Sequence, residues 1–142
     1  MPELSLRRAR QIIKATLARG RDMECKPLSV VILDTGGHVK AFEREDGAAP
    51  GRFPIAEGKA YGAVMMGMAG RAQMARAEAQ AYFMAAANGA YGGKVVPVPG
   101  GILVRDRKGA VMGAVGVTGD TSENDALCGL AGIEAAGLTG EA

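Results

Sequence analysis

One histidine, two cysteines and no tryptophan leave this 142-residue chain few of the side chains from which sites are usually built. A zinc centre made of one imidazole and carboxylates would be poor in the usual donors. No P-loop, CxxC or HExxH occurs, and a Ser or Cys triad has a single imidazole to draw on. Cys25 and Cys128 stand far apart in the sequence and form no metal or redox motif. Two cysteines exclude a disulfide scaffold at this size, and both are expected to be small buried thiols of a reducing cytoplasm. Lysine plus arginine exceeds aspartate plus glutamate by 17 to 15, too even a balance for a nucleic-acid footprint. No run approaches ~18 unbroken apolar residues, so no membrane span is expected. No N-terminal stretch joins a basic head to an apolar run and a cleavage site. The expectation is a cytoplasmic protein without a nucleic-acid or membrane partner.

What the chain does have is small and apolar. Apolar residues make up 48% of it, enough for one core, and its length fits a single domain over residues 1–142. The 22 glycines suit tight helix packing and close subunit contacts, so a homo-oligomer is expected, with eight methionines as flexible fillers. Arg7, Arg8, Arg10, Lys14, Arg19 and Arg21 cluster near the start at helical spacing and read as the wet face of an amphipathic helix.

Ser5 is placed to cap a helix over Leu6–Ala18, with Gly20 as its stop. LSVVIL (Leu28–Leu33) reads as a buried strand, Asp34–Gly37 as a turn and Val39–Arg44 as the returning strand. The glycine- and proline-rich stretch Asp46–Pro54 is loop. Helices are expected over Ile55–Ala69 and Ala72–Ala87, the second stopped by Asn88-Gly89. After a loop at Tyr91–Gly101, which could hold a short edge strand, Ile102–Arg105 and Val111–Val117 form a second hairpin. Thr121 or Ser122 caps a last helix over Glu123–Ala136. Strands joined by tight turns imply an antiparallel sheet covered by helices, an α+β architecture.

The two hairpins resemble each other. In ILDTGGHVKA and LVRDRKGAVMG, Asp34 matches Asp106, Gly37 matches Gly109 and Val39 matches Val111, while His38 matches Ala110. The chain builds one such turn with a methyl group where the other carries its imidazole. The turn therefore does not require His38, which is left to point into water or to serve a ligand.

Other residues could carry chemistry. Glu43, Arg44, Glu45 and Asp46 form a polar cluster that ordinarily is a solvated rim. Asp46-Gly47 starts a turn whose backbone is free to meet a ligand. Lys59 lies on a helix of small and apolar residues, where it either snorkels outward, the commoner fate, or reaches a buried acid. The bend at Pro97–Gly101 is a pocket wall or the lead-in to a strand. Asp120, Glu123 and Asp125 complement the dipole of the last helix, which explains them without a ligand. A lone histidine, methionine or tyrosine can still be an axial ligand to haem iron, because the porphyrin supplies the other four bonds. Val64–Met68 could line such a pocket, or simply fill the core.

At these blocks, from LSLRRARQII through VVILDTGGHVKAFEREDGAAPG, IAEGKAYGAV and PVPGGILV to GAVGVTGDTSENDALCGLAGIEA, the chain resembles the GlcG/HbpS-like family. That module is often labelled haem-binding or haem-degrading and also occurs at the C-terminus of PduO-type proteins. The resemblance implies a profilin-like α+β fold and homo-oligomers, with haem or a related tetrapyrrole bound by some members. It marks Asp34, Gly37, His38, Arg44, Asp46, Gly47, Lys59, Pro99, Gly100, Gly101, Gly119 and Asp125. Glu45, where the family commonly has Met, puts a carboxylate beside the presumed pocket.

Three functions stand as expectations. The first is a haem- or tetrapyrrole-binding protein, with haem degradation as its extension. It places His38 on the iron and lets Arg44, Glu45, Asp46, Gly47, Lys59 and Pro99–Gly101 shape the pocket. The second is an enzyme on a small organic acid or carbonyl compound. There His38 or Lys59 moves a proton and Asp46 or Asp125 orients it. The third is an oligomeric accessory protein without catalysis. The first two require these residues to converge on one concave site.

Overall fold

The computed structural model describes residues 3–142. Ser5 caps helix α1 (Leu6–Asp22), its hydroxyl accepting the Arg8 N–H at 3.2 Å. Ala9, Ile12, Ile13 and Leu17 form the buried side of that helix, and Leu4 ahead of it is buried with them. The helix passes through Gly20 instead of stopping there, because Gly20 is needed for packing: a Cβ would lie 2.6 Å from Leu28 Cδ1. Strands β1 (Ser29–Leu33) and β2 (Val39–Arg44) form the first hairpin. Helix α2 (Arg52–Met66) begins inside the expected loop and ends at Gly67, whose φ of 63° gives it the left-handed conformation of a helix stop.

The next helical stretch is broken in two, α3 (Gly70–Ala79) and α4 (Ala81–Ala90), by Gln80 at φ −142° and ψ 69°. Asn88 and Gly89 lie inside α4, and the Asn88 side chain accepts the Val95 N–H at 2.8 Å. The segment before β3 (Gly101–Arg105) is loop and holds no strand. Strand β4 (Val111–Thr118), helix α5 (Ser122–Ala135) and a short strand β5 (Thr139–Glu141), which sequence reasoning missed, complete the chain. Thr121 is the cap of α5, accepting the Asn124 N–H.

The sheet is antiparallel throughout, in the order β2-β1-β4-β3-β5. Alternation of side chains splits its core in two. Val30, Ile32, Ile102, Val104, Val115 and Val117 pack with Ile12, Ile13, Cys128 and Ile133 under α1 and α5. Val31, Leu33, Leu103 and Ala114 pack on the other face with Ala56, Ala60 and Ala63 of α2. This helix-covered sheet is the profilin-like α+β fold expected.

The second face is built for close approach. A Cβ on Gly116 would lie 2.0 Å from the Ala56 carbonyl oxygen, and one on Gly101 would lie 2.2 Å from that of Lys59. Helix α2 thus rests its backbone on the sheet. Gly116→Ala should cost at least about 2 kcal/mol, since backbone must move to admit one methyl. Gly89→Ala, in open space on α4, should gain up to about 1 kcal/mol. Urea unfolding of the two variants checks both signs.

Candidate functional site

The close seating of α2 brings Lys59 to the end of the sheet. Its ammonium donates to the Val117 carbonyl at 2.9 Å and to Asp125 Oδ2 at 3.1 Å. Lys59 is only 3% exposed, so the surface position expected of a lysine here is overturned. Asp125, at 1% exposure, does more than complement a helix dipole. Its Oδ1 accepts the Asp120 N–H at 3.0 Å while its other oxygen takes Lys59. Lys59 comes from one face of the sheet and Asp125 from the helix on the other, so the pair joins the layers past the end of β4.

Glycines make room for the pair. A Cβ on Gly100, whose φ is 113°, would stand 3.0 Å from Lys59 Nζ and 2.6 Å from the Val117 oxygen. The Gly100 carbonyl accepts the Val117 N–H at 2.9 Å, so the Pro99–Gly101 bend is the lead-in to β3 as well as a wall around the ammonium. Burial pulls Lys59 below its ordinary value, against the attraction of Asp125. Burial likewise pushes Asp125 above the usual carboxylate range, against the attraction of Lys59. Neither group is free to work on a substrate.

Above this end lies a cavity of about 200 Å³ lined by Lys26, Gly47, Ala48, Arg52 and Gly119. The Arg52 guanidinium reaches Thr118 Oγ1 at 3.3 Å. Gly119 closes one wall, and a Cβ there would lie 2.2 Å from the Pro27 carbonyl oxygen. Lys26 and Arg52, neither of them a sequence candidate, give the cavity its positive charge. Their signal was weak, because neither sits in a motif.

Arg44, Glu45 and Asp46 line a neighbouring depression of about 390 Å³ with Leu17, Arg21 and Glu43. Both oxygens of Glu45 are taken by the fold. Oε1 accepts the Leu28 N–H at 2.8 Å and Oε2 pairs with Arg21. A carboxylate engaged in this way is a brace between α1, β1 and the loop after β2 rather than an open ligand. Asp46 beside it is exposed.

His38 does not join these groups. Arg44 pairs with Ser29, which pairs with Thr118, so the Arg44–Gly47 corner shares the Lys59 end of the sheet. His38 precedes β2 at the opposite end. Six strand residues at about 3.3 Å each separate the two by about 20 Å. The expected convergence on one concave site is therefore corrected: the fold makes two separate regions. His38 is 80% exposed at its side chain, with Nδ1 3.2 Å from Asp34 Oδ1. That oxygen also accepts the Gly36 and His38 N–H groups, each at 2.9 Å. The second hairpin repeats the turn: Asp106 Oδ1 accepts the Lys108 and Ala110 N–H groups at 2.9 Å, and Gly37 and Gly109 have φ of 83° and 85°. Gly37 rests against Tyr61 and Met65 of α2, which a Cβ would approach within 3.0 Å.

An antiparallel sheet with helices on both faces, an internal lysine–aspartate bridge and an outlying histidine on a duplicated turn define an α+β scaffold. The chain belongs to the family described as haem degrading protein HbpS-like, whose model matches residues 4–134. A search of curated proteins finds no match. Among solved structures the chain is similar to PduOC in its haem complex, at 26% identity over 96% of both chains with a TM-score of 0.84. It is also similar to the Klebsiella pneumoniae protein ORFY of the DUF336 family, at 22% identity over 96% of this chain and 92% of that one, TM-score 0.83. A double mutant of HbpS from Streptomyces reticuli matches at 23% identity, covering 94% and 87%, TM-score 0.79. Among the described residues no helix is long and apolar enough to cross a membrane.

Two measurements check this geometry. Lys59→Met and Asp125→Leu should each cost about 3–5 kcal/mol by leaving an uncompensated buried charge, and the double variant should cost far less than their sum. Urea unfolding of the cycle reads the coupling. Backbone hydrogen bonds from the turn hold the Asp34 carboxyl below its ordinary value. A depressed folded value stabilises above the unfolded one, about pH 4, and the benefit disappears as pH falls through the folded one. The stability gap between wild type and Asp34→Asn should therefore narrow as the pH is lowered from neutrality through and below the ordinary carboxylate range.

Proposed function

We propose that this protein binds haem or a related tetrapyrrole and that His38 supplies the contact to iron. The observation that carries this reading is the state of its ring. Asp34 lies 3.2 Å from Nδ1, which orients the imidazole, while the side chain is 80% exposed. An imidazole so held needs one vacant direction, and a porphyrin brings the remaining donors itself. Among the described residues no group of three or more His, Cys, Asp or Glu could hold a metal ion, so the donor set fits a tetrapyrrole better than a bare cation. The surroundings fit as well. Val39 is 47% exposed beside His38, Tyr61 and Met65 flank the turn, and Lys94 Nζ lies 5.0 Å over the Tyr61 ring, a cation for an acidic ring substituent. Family membership and the haem complex of PduOC support the same ligand class.

A second reading has its own observation, the basic cavity at the other end of the sheet. Lys26 and Arg52 suit a small organic acid. Lys59 is buried in its ion pair, so the exposed Asp46, which lines the neighbouring depression and adjoins Gly47 in the chain, is the acid left to move a proton. Association into homo-oligomers has support in α4, where Tyr82 and Phe83 are exposed and Met84 alone is buried.

Haemin titration tests the first reading. Wild type should give a saturable Soret shift, reduced at least tenfold in affinity by His38→Ala and less by Asp34→Asn. Undiminished binding by His38→Ala would remove His38 from the iron. Amide shifts on adding succinate, confined to the Gly47 and Gly119 loops and absent in Arg52→Gln, would establish the second.

A further inference from the structure

Three sulfurs meet where the end of α1 approaches α5. Cys128 Sγ lies 3.7 Å from Met23 Sδ and 4.0 Å from Cys25 Sγ. The two cysteines, far apart in sequence, are thus neighbours in the fold, and of the two thiols expected to be buried only Cys128 is fully so. Cys128 is fully buried, whereas Met23 and Cys25 are half-buried. Glu24 between them, with φ 57°, is the one non-glycine residue of positive φ among those described. Its turn sets residues 23 and 25 both against Cys128.

We propose that Met23, Cys25 and Cys128 form a binding site for one soft monovalent metal ion of the copper(I) type. Three sulfurs each about 2.3 Å from a metal in a trigonal plane stand about 4 Å from one another. The two separations that involve Cys128 already have this value. Thiolate and thioether donors without nitrogen or oxygen select copper(I), whereas zinc wants four ligands of the N/S type. Cys25, half-buried, leaves a way in. Binding releases both thiol protons to solvent, and no electron moves.

A disulfide is the competing use of the pair. Burial pushes the Cys128 thiol up to about 12 and also raises Cys25. Little thiolate is then available to attack an oxidant. A metal ion deprotonates the thiols as it binds, so the same burial hinders it less.

The test is anaerobic copper(I) titration of the reduced protein in competition with bicinchoninate. Wild type should take one equivalent. Met23→Leu should bind at least tenfold more weakly and Cys25→Ser should lose the site. Both variants alter half-buried positions, and unchanged far-ultraviolet circular dichroism shows that they fold. His38→Ala should bind as wild type does. Equal copper binding by Cys25→Ser, or preference for zinc over copper(I), would overturn the site. So would failure to take copper from the chelator while air oxidation removes two hydrogens from the mass.

Discussion

A lysine and an aspartate sealed against each other fix how the layers of this protein meet. Lys59 belongs to the helix on one face of the sheet and Asp125 to the helix on the other, and both are all but excluded from water. Taking two charges out of water costs several kcal/mol per ion, and their attraction returns this only with good geometry and further hydrogen bonds. Here Val117 and the Asp120 amide supply those bonds. The pair is better understood as a device for register than as a source of net stability. An assembly that shifted α2 by one turn along the sheet would leave both charges buried and alone.

The pair could not form without the small residues around it. Lysine reaches the sheet end only because Gly101 and Gly116 let the α2 backbone lie on the strands, and only because Gly100 leaves space for the ammonium. The high glycine content, which in the sequence suggests subunit contacts, is accounted for at these positions within one chain. The same economy explains why α2 has little amphipathic pattern. Its buried side is made of Ala56, Ala60 and Ala63, and the helix contributes proximity rather than bulk.

Much of this was legible in the chain. The hairpins were readable to within a residue or so because apolar β-branched runs, Asp and Gly at fixed turn positions, and two-residue alternation all agree there. Helix ends were less so. Gly20 and Gly89 carry the usual stop signal, yet the first serves a contact with Leu28 and the second lies within the last turn of α4. Lys59 stands out among small residues, but whether it points outward depends on Asp125, 66 positions away. Lys26 and Arg52, and the meeting of Cys25 with Cys128, are likewise products of tertiary arrangement that no local spacing announces. The separation of His38 from Asp46 comes from strand length alone, and a count along Val39–Arg44 would have found it.

The duplicated turn supplies the strongest internal comparison. Around Asp34 and around Asp106 the carboxylate accepts corresponding amides at the same distance, and each hairpin carries a register shift at the matching place, between Ile32 and Leu33 and between Val104 and Arg105. One fold element is thus built twice, and the copies differ in the residue directly after the glycine. Ala110 shows that the backbone needs no ring there. An imidazole at His38 therefore adds a group the turn can orient, through a carboxylate already present for backbone reasons, without altering how the turn is made. Orientation obtained from an existing carboxylate and an exposed side chain are what a ligand contact requires. The buried end of the sheet shows the opposite arrangement, with Lys59 and Asp125 spent on holding the layers together. On the proposed haem reading, the structural pair and the ligand contact stand at opposite ends of the sheet.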